Sequence, residues 1–178
     1  MNTFFNPTTE FVDKLVELIG NRFVVEIGCG KGDLLNELIT RGIPAIGVDP
    51  YVDKSDITDL SLFLKILDFD IPRLKTFLKG ITNNNKEVVF LVARPCHSGF
   101  PQEYFRQFED FCEMIYIGFA KNLELDFERD LSIVTVQNGF PKHSDCDIVA
   151  IIIYRHSDRT TYIFLGYFLR LFRIFRFA

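Results

Sequence analysis

The stretch Phe23-Val24-Val25-Glu26-Ile27-Gly28-Cys29-Gly30-Lys31-Gly32-Asp33 decides the architecture. Phe23 to Ile27 is an apolar run broken by one acid, which reads as a buried strand. Glycines follow at positions 28, 30 and 32. A turn built this way reaches positive φ without steric cost and lets a ligand approach the backbone closely. Asp33 is placed to cap a helix that continues as Leu34-Leu35-Asn36-Glu37-Leu38-Ile39-Thr40-Arg41 and stops at Gly42. The start of that helix offers free N–H groups to a polar or anionic ligand. A second strand, Pro44 to Val48, ends at Asp49, 21 residues after Gly28. An acid at the tip of the second strand is well placed to bind the two ribose hydroxyls of a nucleoside.

The glycine spacing discriminates between ligands. A dinucleotide fingerprint, G-x-G-x-x-G, would put its third glycine where Asp33 stands, which disfavours a nicotinamide-dependent oxidoreductase. The pattern is instead E-x-G-x-G-x-G, with Glu26 two residues ahead of the first glycine. Together with Gly47-Val48-Asp49-Pro50, it resembles the class I S-adenosylmethionine-dependent methyltransferases. The resemblance is specific over residues 23–50 and topological beyond them. It implies an α/β, Rossmann-like, doubly wound and mostly parallel sheet of about seven strands, with an antiparallel final strand. It implies that S-adenosyl-L-methionine is the cofactor. Glu26 would help fix the loop and the cofactor's amino group, Gly28, Cys29 and Gly30 would pack against its methionine part, Asp49 would bind the ribose, and Pro50 beside it counts among the cofactor-binding residues. Cys29 would act through its backbone, not its thiol.

The 178 residues suit one domain, expected over 1–156, with a tail over 157–178. Hydrophobic residues make up 48% and charged residues 25%, which supplies a core and argues against wholesale disorder. The net charge of −4 is unevenly placed: five arginines face one aspartate after Tyr154, leaving the rest of the chain acidic. An acidic body gives no strong signal for nucleic acid. Cys29, Cys96, Cys112 and Cys146 show no C-x-x-C spacing, and no leader-like segment precedes them. The expectation is reduced thiols in a cytoplasmic protein. No internal apolar run is long enough to span a membrane.

Thr9 to Ile19 reads as an amphipathic helix with Phe11, Leu15, Leu18 and Ile19 on one face, Pro7 before it and Gly20 closing it. Asp53 to Leu60 suits a short helix. Leu62 to Leu67 reads as a third strand, with a helix through Phe63 as its competitor. If it is a strand, the resemblance assigns adenine contact to Asp68 and Phe69 at its end, with Asp70 as the rival acid. Ile71 to Lys79 is helical in pattern, with Pro72 tolerated in the first turn and Gly80 ending it. Glu87 to Ala93 is a buried fourth strand. Gln102 to Phe111 reads as the next helix, and Met114 to Phe119 as a fifth strand. Residues 120–130 are expected to hold a short and weakly patterned fifth crossover. Leu131 to Gln137 and Asp147 to Tyr154 are strands whose short link makes them antiparallel.

Between the fourth strand and the helix after it lies Arg94-Pro95-Cys96-His97-Ser98-Gly99-Phe100-Pro101. Loops at this end of a doubly wound sheet line the ligand crevice. In the methyltransferases this loop carries substrate-contacting or catalytic residues, which makes Arg94, Cys96 and His97 the candidates here. Pro95-Cys96 bears a faint likeness to the proline-cysteine motif of the cytosine-5 methyltransferases, where the thiolate adds to the base. The chain, however, lacks room for a target-recognition region and lacks the Glu-Asn-Val match. Nor does Arg94-Pro95-Cys96-His97 match the Asn/Asp-Pro-Pro-Tyr/Phe motif of the amino-methylating enzymes. His143, Asp145, Cys146 and Asp147 have no established metal-ligand spacing, so no metal is expected.

In the tail, Arg170, Arg173 and Arg176 recur every third residue and would form a basic stripe on a helix. Residues 160–178 therefore suit either a membrane surface or partner docking, or a segment folded over the domain's own apolar edge. Two functional readings stand: methyl transfer to an acceptor that the sequence does not name, and a non-catalytic module that binds a nucleoside ligand or a protein partner. A methyltransferase needs mainly to hold its reactants in line, so the lack of a catalytic triad is no objection.

Overall fold

The computed structural model describes residues 7–49, 51–53, 65–67, 70–82, 87–94, 107–108, 113–119, 132–140 and 147–154. Among them are three helices, α1 (Thr9–Ile19), α2 (Asp33–Thr40) and α3 (Ile71–Thr82). The strands are β1 (Phe23–Ile27), β2 (Ala45–Val48), β3 (Ile66–Leu67), β4 (Val88–Ala93), β5 (Glu113–Phe119), β6 (Ser132–Val136) and β7 (Asp147–Tyr154). They form one seven-stranded sheet in the order β3-β2-β1-β4-β5-β7-β6. Pairings from β3 through β5 are parallel, and β7 runs antiparallel to both β5 and β6. The chain leaves β1 toward β2 and later returns to β4 on β1's other side, so the strand order reverses between β1 and β4. In open α/β sheets a ligand crevice opens at such a point, beyond the carboxyl ends of the strands.

The sheet is buried on both faces, which is why its central strands read as apolar runs and not as alternating ones. On one face Phe11, Val12, Leu15 and Ile19 of α1 and Leu34, Leu35 and Leu38 of α2 pack against Val24, Val89, Leu91, Ile115 and Ile117. On the other, Leu74 and Leu78 of α3 and Phe108 pack against Val25, Ile27, Phe90, Val92, Met114 and Tyr116. Burying each such side chain stabilises the fold by roughly 1.5–3 kcal/mol. In α1, Val12 is fully inside while Leu18 is half-buried at the margin, one step away from the expected stripe.

Helix α1 is capped at its start by Thr8, whose hydroxyl accepts from the Phe11 N–H at 3.2 Å. At its end the Arg22 side chain donates to the carbonyls of Ile19 (2.8 Å) and Leu18 (2.5 Å) and forms an ion pair with Glu113 at the start of β5. The amino ends of β1 and β5 are thereby tied to the last turn of α1.

Several expected boundaries move. Asp33 does not cap α2: it is the first helical residue, and the cap position is Gly32, which has no side chain to offer. The helix ends at Thr40, with Arg41 just beyond it. Pro44 lies outside β2, which begins at Ala45. Gly80 does not end α3, which continues to Thr82: a single glycine costs a helix only about 1 kcal/mol, and Leu74 and Leu78 hold this one to the sheet. β3 begins at Ile66, with Lys65 in a turn, while residues 62–64 lie outside the described residues. The helices expected over 53–60 and 102–111 and the crossover over 120–130 fall almost wholly outside them too, as does the tail.

Candidate functional site: the glycine loop at the carboxyl ends of β1 and β2

The loop after β1 carries Gly28, Gly30 and Gly32, with φ of 70°, 54° and 85°. All three occupy the left-handed region, which costs an L-residue roughly 1–2 kcal/mol. The alternation of glycine thus corresponds to an alternation of backbone conformation. The loop is held by its own hydrogen bonds. Gly28 N–H donates to Val48 O at 2.8 Å, extending the β1–β2 ladder, and Gly32 N–H donates to Cys29 O at 2.9 Å. A Cβ placed on Gly30 would meet nothing within 4 Å, so this glycine lies against open space.

Asp49 closes the loop from the neighbouring strand. Its own N–H donates to Leu67 O at 2.9 Å, which sets the residue in register with β3. One carboxylate oxygen accepts from Gly30 N–H at 3.0 Å and the other from Tyr51 N–H at 2.9 Å. Each oxygen keeps a lone pair for a further donor. Tyr51, which the sequence reading passed over, stands 91% exposed beside it. Nothing in a D-P-Y tripeptide marks that tyrosine as part of a site until the loop geometry is known.

Cys29 points inward. Its thiol is buried, and a Cβ built on Gly47 would stand 2.4 Å from Cys29 Sγ and 3.0 Å from Leu35 Cδ2. The absent side chain at Gly47 is what lets the loop settle onto β2. Burial, reinforced by the negative charges of Glu26 and Asp49, pushes the thiol far above its ordinary range, so it is no nucleophile.

Glu26 is paired in register with Gly47 on one side and Leu91 on the other, at the centre of the sheet. It is only 4% exposed. The Leu35 backbone N–H in the first turn of α2 hydrogen-bonds its carboxyl, doing for that helix what Gly32 cannot. Its Oε2 has no hydrogen-bond partner among the described residues. Burial above all, then the charges of Asp33 and Asp49, raise its pKa from 4.5 to about 8. Asp33 and Asp49 thus act on Glu26 from the same edge of the sheet.

Arg94 follows β4 on the same edge, half-buried, with its N–H donating to Ile117 O at 2.7 Å. Its φ of 47° is the one left-handed value at a residue other than glycine among the described residues. Pro50, Asp68, Phe69, Cys96 and His97 lie outside the described residues, as do His143, Asp145 and Cys146. Among the described residues, no group of three or more His, Cys, Asp or Glu side chains could hold a metal ion. No helix among them is long and apolar enough to cross a membrane.

The chain has the fold of class I methyltransferase domains. It is similar to the magnesium protoporphyrin IX methyltransferase of Synechocystis with bound SAM, at 9% identity and a TM-score of 0.53, over 81% of this chain and 78% of that one. The TrmK of M. capricolum in complex with S-adenosylhomocysteine aligns at 15% identity and a TM-score of 0.52, over 82% of this chain and 67% of that one. An rRNA methylase from Streptococcus thermophilus aligns at 8% identity and a TM-score of 0.50, over 80% of this chain and 93% of that one. At such identities the likeness is one of fold. No protein-family model and no curated protein matches the sequence.

Proposed function

We propose that the glycine loop binds S-adenosylmethionine and that the protein transfers its methyl group to an acceptor. The observation that carries this reading is the loop itself: three left-handed glycines, open space at Gly30, and an Asp49 carboxylate anchored at the next strand tip. The residues present fit the ligand. The open side of Gly30 admits close approach, Asp49 offers acceptors to ribose hydroxyls, and the Glu26 Oε2, without a partner among the described residues, suits an ammonium group. When bound, the cofactor supplies an activated methyl group on a sulfonium.

The chain's own residues would bind and orient. Gly28, Cys29 and Gly30 shape the cradle through their backbone, Glu26 and Asp49 fix the two ends of the ligand, and the apolar strands beneath exclude water. Arg94, directly after β4, is the candidate among the described residues for contact with the acceptor. The neighbours' named ligands, SAM in one and S-adenosylhomocysteine in another, support the cofactor side of this reading.

Native mass spectrometry of the purified protein tests it. The expected result is a copurified or added mass equal to S-adenosylmethionine or S-adenosylhomocysteine, lost in Asp49→Ala. A protein that takes up neither compound at any concentration overturns the proposal.

A further inference from the structure

Glu26 is the one buried charged side chain among the described residues, at the amino end of a helix and beneath an open loop. Among the described residues, the groups that face it come from several elements. Asp33 belongs to the first turn of α2, Asp49 to the end of β2 and the Cys29 thiol to the loop, while β4 contributes the apolar Leu91. Lys31 lies in the loop and Arg94 follows β4; with burial and the two carboxylates acting on it, the Glu26 carboxyl keeps its proton up to about pH 8. One of its oxygens is spent on the Leu35 N–H, and the other has no hydrogen-bond partner among the described residues. An ionised carboxylate left this way is costly unless a cation is brought to it.

We propose, on the footing of the nucleoside reading above, that ligand uptake is coupled to loss of the Glu26 proton. A ligand bearing a primary ammonium group brings the compensating charge. The neutral carboxyl and the ammonium then become a carboxylate–ammonium pair, and one proton leaves to solvent. A nucleoside without the ammonium binds with the carboxyl still neutral and releases nothing. The site thereby reads the amino-acid half of its ligand through protonation, and its affinity for that ligand rises with pH.

Titration calorimetry separates the two ligand types. S-adenosylhomocysteine carries the ammonium, and 5′-methylthioadenosine is a nucleoside thioether without the amino-acid group. Each is titrated between pH 6 and 8.5 in buffers of differing ionisation enthalpy. For S-adenosylhomocysteine at pH 6.5 the expected release is about one proton, with affinity rising about tenfold per pH unit and levelling near pH 8. For 5′-methylthioadenosine both the release and the slope are absent. Glu26→Gln removes the slope for S-adenosylhomocysteine, and its thermal unfolding reports that the fold is kept. An affinity for S-adenosylhomocysteine that is flat with pH, equal proton release for the two ligands, or a slope that survives in Glu26→Gln overturns the coupling and leaves the nucleoside reading standing. Failure of both ligands to bind at every pH overturns both.

Discussion

The two ends of β1 are built to opposite rules. At the amino end, Arg22 pairs with Glu113 and caps the last carbonyls of α1, so charges and orphan carbonyls satisfy one another. At the carboxyl end, four residues on, Glu26 is buried against two other carboxylates with one oxygen unpartnered among the described residues, and the chain then passes through three left-handed glycines. The first end is arranged for stability. The second carries a buried acid with one oxygen lacking a partner among the described residues, which fits the ligand seat proposed above.

The sharpest way to break this contrast is through pH. In the unfolded chain Glu26 ionises in the ordinary carboxylate range, whereas in the folded chain it does so only at about 8. The folded state therefore binds the extra proton between those values. The stability Glu26 contributes is whole below about pH 4.5, falls as the pH rises, and is gone once the pH has passed the folded value. Across that window Glu26→Gln is expected to gain on the wild type by on the order of 4 kcal/mol. Urea unfolding of both proteins at pH 5 and pH 8.5 measures the difference. A gap that does not change with pH contradicts the buried, proton-holding state.

A smaller effect concerns the seat of the loop. Gly47→Ala drives a methyl group into Cys29 and Leu35 and is expected to cost about 1–3 kcal/mol by overpacking. Cys29→Ala in the same chain should recover part of that loss, because the sulfur is the nearest atom and the Cys29 Cβ, at 2.9 Å, remains. Chemical denaturation of the single and double variants checks this, and a purely additive pair would contradict the packing described. Smallest of the three is Arg22→Ala at the other end of β1. Its ion pair with Glu113 is partly solvated, so the expected loss is about 1 kcal/mol of stability, with ligand affinity unchanged.

Much of this was legible in the residues. The E-x-G-x-G-x-G pattern and the acid 21 residues after Gly28 led to the parallel sheet, and the short link before Asp147 led to its antiparallel finish. The bounds of α1 and β1 were readable because their apolar spacing, with Pro7 before the helix and Gly20 after it, left no rival period. Less visible were features that depend on contacts distant in sequence. An aspartate opening a helix looks like a cap, and only the fold shows that Gly32 holds that position and that Glu26, from another element, reaches the Leu35 N–H. Gly80 looks like a stop because local propensity says so, and burial of Leu74 and Leu78 overrides it. The burial that keeps Glu26 protonated comes from three strands and a helix at once, and no single stretch of sequence encodes it.

In this reading Asp49 and the left-handed loop form a nucleoside seat, while the opposite end of β1 is scaffold. Titrating S-adenosylhomocysteine into the wild type, Asp49→Ala and Arg22→Ala at pH 8.5 tests it most directly. Saturable binding is expected of the wild type and Arg22→Ala, with at least about a hundredfold loss in Asp49→Ala from removing charge-assisted hydrogen bonds together with the anchor of the loop. Equal affinity in the wild type and Asp49→Ala, or no binding by the wild type, would contradict it.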